Sequence, residues 1–224
     1  MPLTLVRQAE NGNTGNQTTI TVALGATAAA GNLLVAAICS DKSSGAYTRP
    51  SGFTALYTYD SANVSGCVAY KIAVGTETQT VWSQVTTSAN GLSAWMAEYR
   101  GNIATPSDVA LGANSGTTAV KTLSVGPTNA TAQADELALA FCGSDSWSLT
   151  NGGRSWNNSF AEIADVGSGS GPPGLTIAAK ALTAKGAVTV AYTTTGTGDQ
   201  LWIAVCTFIA GVPRLALYQA RMRG

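Results

Sequence analysis

The chain has 224 residues, enough for one large domain or two small ones with a real core. Charged residues make up only 11% of it, well under the roughly one quarter of an average domain, and Thr, Ser, Ala, Gly and Asn fill the gap, which suits strands and turns and disfavours helices. The 12 basic and 12 acidic residues cancel and histidine is absent, which excludes a basic nucleic-acid footprint, Ser-His-Asp or Cys-His catalysis, and the commonest metal ligand.

The start, Met1 to Glu10, lacks the basic-then-apolar layout of a secretory signal. No apolar stretch reaches the roughly 20 residues of a membrane span, so membrane insertion is not expected. Ile20, Val22 and Leu24 then alternate with Thr and Ala, the period of two that marks a strand with one buried face. Leu33 to Cys39 is apolar on both faces. It reads as a central strand whose second side needs cover from a loop, the other half of the chain or another subunit. Phe53, Ala55, Tyr57 and Tyr59 alternate again, as do Trp95, Ala97 and Tyr99 against Met96, Glu98 and Arg100. The shared face of Glu98 and Arg100 predicts a solvated ion pair. Turn clusters such as Asn11 to Gly15, Pro50-Ser-Gly52 and Asn90-Gly91 separate these runs.

Beyond Gly101 the same text starts again. Asn32 to Asp41 matches Glu136 to Asp145, both apolar and both ending in Ser-Asp. Val68 to Lys71 matches Ile177 to Lys180, Val85 to Ser88 matches Tyr192 to Thr195, and Ala94 to Ala97 matches Leu201 to Ala204. The matches keep one order at a spacing of about 105 residues, far beyond a solenoid period. The chain is therefore a duplicated strand set, copy one about 1–101 and copy two about 107–211, each of about seven strands. The expected fold is all-β, an antiparallel two-sheet, jelly-roll-like β-sandwich. The alternative is two tandem immunoglobulin-like sandwiches. Residues 212–224 break the pattern and form a basic arm, in which Arg214, Leu215, Tyr218, Arg221, Met222 and Arg223 are the candidate interface.

Chemistry-bearing motifs are sparse. No G-x-S-x-G elbow or phosphate loop occurs, and the Gly167–Gly174 run has Pro172-Pro173 where a nucleotide loop would open a helix. Cys39, Cys67, Cys142 and Cys206 sit in apolar runs without a C-x-x-C pair, as buried hydrophobes do. Asp41 and Asp145 end equivalent strands and read as turn-stabilising side chains. No metal, cofactor or catalytic residue is expected, and the chain does not read as an enzyme. The best hint of a ligand is the polar loop of Trp147, Arg154 and Asn157, with an aromatic, a guanidinium and an amide suited to a sugar. Trp156 aligns with Phe53 and reads as core.

The order G-N-L-L-V at Gly31–Val35, P-S-G-F at Pro50–Phe53, Y-K at Tyr70-Lys71 and A-E-Y-R-G at Ala97–Gly101 resembles a family of β-sandwich domains of phage virion proteins and bacterial surface proteins. That pattern is G-[DN]-L-L-V, P-x-G-[WF], Y-K and A-x-Y-R-G, followed by a second, degenerate round. The resemblance covers nearly everything before Val212 and implies fold and a structural role, with no catalytic residues to carry over. It implies a virion component, assembled in the host cytoplasm, that decorates a capsid or serves as a head-tail accessory. The implied partners are phage capsid or tail proteins and further copies of itself, a trimer favoured. A receptor- or glycan-binding module of a tail or fibre, contacting a host-surface glycan, is the alternative.

Overall fold

A computed structural model describes residues 3–15, 17–42, 47–84, 91–116, 118–145, 154–167, 173–195 and 198–211. Copy one contributes β1 (Thr4–Thr14), β2 (Thr19–Ala23), β3 (Leu33–Ser40), β4 (Tyr47–Thr48), β5 (Thr54–Asp60), β6 (Ser65–Ile72), β7 (Gln79–Gln84) and β8 (Gly91–Arg100). Copy two contributes β9 (Asn102–Asn114), β10 (Thr122–Val125), β11 (Glu136–Ser144), β12 (Arg154–Trp156), β13 (Ala161–Val166), β14 (Gly174–Leu182), β15 (Val190–Thr194) and β16 (Leu201–Ala210). Among the described residues each copy thus has eight strands where about seven were expected. The two-residue β4 is too short to leave a periodic signature.

The strand order is β1-β8-β3-β6-β5 with β2-β7-β4 in copy one, and β9-β16-β11-β14-β13 with β10-β15-β12 in copy two. The two orders are identical position for position. Both are jelly-roll arrangements, with the fifth strand paired to the edge of the larger sheet. The duplication read from sequence is therefore a duplication of topology.

The four sheets stack as small, large, large, small, with a core in each gap. Between the sheets of copy one lie Ile20, Val22, Leu34, Ala36, Ile38, Trp82, Ala94 and Met96. The same gap in copy two holds Val125, Ala138, Ala140, Phe160, Tyr192, Ile203 and Val205. The third core joins the copies: Leu33, Val35, Ala37, Trp95 and Ala97 meet Leu139, Phe141, Ile177, Ala204 and Phe208. Successive side chains on a strand point to opposite faces. Leu33, Val35 and Ala37 thus enter the shared core while Leu34, Ala36 and Ile38 enter their own. This is why β3, β8, β11 and β16 are apolar on both faces over most of their length. Their second side is covered by the other copy, one of the three covers the pattern demanded.

The large sheets face each other about an approximate twofold, so that β1 lies over β13 and β5 over β9. Gln8 Nε2 donates to Ile163 O at 2.9 Å on one side, and the Tyr57 hydroxyl donates to Ala113 O at 3.3 Å on the other. Tyr57 lies flat on Gly112, where a Cβ would overlap its ring. At about 1.5–3 kcal/mol for each large side chain fully buried, the shared core holds the copies together far more strongly than these edge bonds do.

Candidate functional site

Of the matches read from sequence, Asn32 to Asp41 with Glu136 to Asp145 and Val68 to Lys71 with Ile177 to Lys180 hold in register, Ala94 to Ala97 with Leu201 to Ala204 is displaced by two residues, and Val85 to Ser88 lies outside the described residues. Lys71 lies opposite Leu34 as Lys180 lies opposite Ala138, which makes them register equivalents. Each lysine ties down the turn before the fifth strand: Lys71 Nζ donates to Ser51 O at 3.5 Å, and Lys180 Nζ to Asn158 O at 2.8 Å. Within those turns Phe53 N–H bonds Pro50 O and Phe160 N–H bonds Asn157 O. Phe160 is therefore the counterpart of Phe53, and the alignment of Trp156 with Phe53 is corrected. Trp156 still packs on the copy-two core, its ring edge-on to Tyr192 at 5.2 Å.

The two Ser-Asp strand ends also behave alike. Asp41 Oδ1 accepts the Gly91 N–H at 3.2 Å, and Asp145 Oδ1 accepts the Gln200 N–H at 3.1 Å. The donors stand at the start of the last strand of their copy, Gly91 as the first residue of β8 and Gln200 just before β16. Burial raises the Asp145 carboxyl above its ordinary value. The Gln200 N–H pulls it back, and the charges of Asp199 and Asp41 add to the rise. The expected turn-stabilising role agrees with this geometry.

Glu98 departs from expectation. Its side chain is fully buried and pairs with Arg7, not with Arg100. Arg7 Nε lies 2.8 Å from Oε2, while Oε1 accepts from Ala29 N–H at 2.8 Å and from Asn32 Nδ2 at 2.6 Å. The solvated ion pair is replaced by a charge desolvated on β8 and balanced from the neighbouring β1. Sequence pattern missed this because β8 is buried on both faces, so a polar position on it cannot face water.

Of the candidate ligand loop, Trp147 lies outside the described residues. Arg154 ion-pairs with Asp165, linking the small sheet of copy two to its large one. Asn157 Oδ1 accepts the Ala191 N–H at 2.6 Å and so caps β15. Both side chains are engaged in holding their own fold. A shallow groove of about 400 Å³ runs nearby, lined by Asn158, Lys180, Leu182, Val188 and Thr189. The candidate interface of Arg214, Leu215, Tyr218, Arg221, Met222 and Arg223 lies outside the described residues.

The four cysteines are buried free thiols. Burial pushes all four up, Cys39, Cys142 and Cys206 furthest, so each stays a thiol at neutral pH and is a poor nucleophile. Among the described residues no three His, Cys, Asp or Glu side chains are grouped to hold a metal ion. Among the described residues the strands of the small sheets present no charge on their outward faces. Thr19, Thr21, Thr48, Gln79 and Val81 are exposed in copy one, and Thr122, Ser124 and Ser155 in copy two. They are surfaces rich in hydroxyl groups. Comparison of the chain with family models, with curated proteins and with solved structures gives no match.

Proposed function

We propose that this chain is a non-enzymatic structural component of a bacteriophage particle, a capsid-decoration or head-tail accessory protein that self-associates and binds the particle surface. The observation that supports this most is the fusion of two jelly rolls through a shared apolar core. Jelly rolls recur in capsid proteins, an analogy of fold. The fusion argues further, because it makes one block whose two small sheets turn uncharged strand faces outward. Such a block offers area for contact on two opposite sides. In this reading the protein is assembled into virions in the host cytoplasm, and the arm 212–224 docks on a neighbouring subunit.

The test is sedimentation with particles from which accessory proteins have been removed. The purified chain is expected to pellet with the particles and to elute alone as a closed oligomer, a trimer, by light scattering. Deleting residues 212–224 is expected to weaken attachment without lowering the melting temperature. A monomer that stays in the supernatant overturns the reading.

A further inference from the structure

Charge is divided unevenly along the chain. Residues 1–101 carry five acids and five bases, residues 102–211 carry seven acids and four bases, and residues 212–224 carry three arginines and no acid. The arm is therefore opposite in sign to copy two, while copy one has no net charge to attract it.

The edge strand β9 differs from its counterpart β1 in a way that suits such an arm. A groove of about 300 Å³ runs between residues 108–111 of β9 and residues 127–129. Leu111 lies opposite Val205 as Ala9 lies opposite Met96, and register makes the two positions equivalent. Ala9 packs on the core of copy one, whereas Leu111 is 39% exposed. Asp108 follows Ser107 in the bulge beside Thr207, where copy one places Arg7 against Glu98. Asp108 Oδ2 accepts the Ala132 N–H at 2.6 Å, and among the described residues its charge meets no cation. The groove thus joins an exposed leucine to an unpaired carboxylate. The groove beside Lys180 carries the arm's own sign and opposes it.

The place where the arm leaves the fold decides whose groove it meets. Leu111 pairs with Val205, well before the end of β16 at Ala210, and Gly211 N–H still bonds Gly101 O. An arm returning to its own groove would have to reverse at once. Between Arg214 and Arg223 the sequence holds no Gly, Pro, Asn or Asp on which to turn. An arm from a second molecule needs no reversal.

Resting on the reading of the arm as one that docks on a neighbouring subunit, we propose that residues 212–224 of one molecule seat in the β9 groove of the next, leucines on Leu111 and an arginine on Asp108. Each molecule then gives an arm and receives one. The contact is head-to-tail and closes into a ring where the rotation allows.

The experiment is sedimentation velocity of the full chain over a range of concentrations. Wild type is expected to associate, and to do so more weakly in about 0.5 M salt, where exposed charges are screened. Asp108→Arg and Leu111→Glu are each expected to weaken association about tenfold or more. Leu111 is exposed, so Leu111→Glu keeps the fold should loss of the Ala132 bond disturb the other variant. The decisive measurement mixes two chains that each fail alone. Leu111→Glu keeps its arm, a chain truncated after Gly211 keeps its groove, and together they are expected to form pairs. Association that survives in both groove variants overturns the proposal, and pelleting with particles then still judges the functional reading by itself. A wild type that stays monomeric, with residues 108–111 protected from hydrogen exchange only when the arm is present, has docked its own arm and overturns it too. So does a monomer without that protection.

Discussion

The Trp202 indole of copy two lies on the α-carbon of Gly66 in copy one, so closely that a Cβ on that glycine would overlap its ring. Its other side rests on Gly143, its own cross-strand partner, where a Cβ would overlap again. Tyr57 packs beside it with ring centroids 5.9 Å apart. Register makes Ser93, which pairs with Cys39, the counterpart of Trp202, and Leu175 the counterpart of Gly66. The approximate twofold is broken here by one wedge and one slot.

The wedge is open to test from both sides. Trp202→Ala is expected to cost about 3–5 kcal/mol, since the fully buried ring has no neighbour able to fill its space. Gly66→Leu is expected to destabilise at least as much by forcing the shared core apart. Urea denaturation measures both, and a Gly66→Leu chain as stable as wild type would refute the packing described.

Arg7 and Glu98 give a second prediction. Arg7→Met leaves a carboxylate in a fully buried site and is expected to cost about 3 kcal/mol. Adding Glu98→Gln is expected to recover much of that, because the remaining Asn32 and Ala29 donors need only an oxygen. A double-mutant cycle by thermal melting reads the coupling, and additive losses would contradict it.

Acid should weaken copy one through Glu77. Burial raises this carboxyl, but Lys71 at 2.6 Å and the N–H groups of Val74 and Thr76 outweigh it and bring it down to about 2. Because the folded value is depressed, the stabilisation is complete above the ordinary value of 4.5 and is lost as pH falls from there through about 2. Glu77→Gln is expected to lower the melting temperature at pH 7 and to flatten the acid limb of the stability profile. An unchanged acid limb would exclude the role.

The thiols should be silent in the folded chain. With Cys39, Cys142 and Cys206 pushed up by burial and fully enclosed, labelling by an aromatic disulfide reagent at pH 8 is expected only as fast as the protein unfolds. Rapid stoichiometric labelling without denaturant would show the cores to be looser than described.

Much of this fold was legible because the strongest signal, runs apolar on both faces, has one physical cause. Leu33 to Cys39 demanded cover on two sides, and the other copy supplies it. The alignment of Trp95 with Trp202 was less informative. Cross-strand partners place Trp202 two residues from the true equivalent, Ala204, and a slip of two leaves a side chain on the same face, so alternation cannot detect it. Glu98 was misread because its partner Arg7 lies on β1, more than 90 residues away in sequence. Arg154 and Asn157 resembled ligand groups because a polar loop side chain looks the same whether it binds a sugar or caps its own strand.

One consequence of the shared core concerns where such a chain comes from. A half-length version ending at Arg100 would leave Leu33, Val35, Ala37, Trp95 and Ala97 on a bare sheet in water. It would have to clasp an identical molecule or precipitate. A gene encoding a single half is therefore viable only as an obligate pair, and joining the two halves through Gly101 makes that partnership permanent. Once tethered, the halves were free to diverge into the unequal shapes of Trp202 and Ser93, after which neither could replace the other.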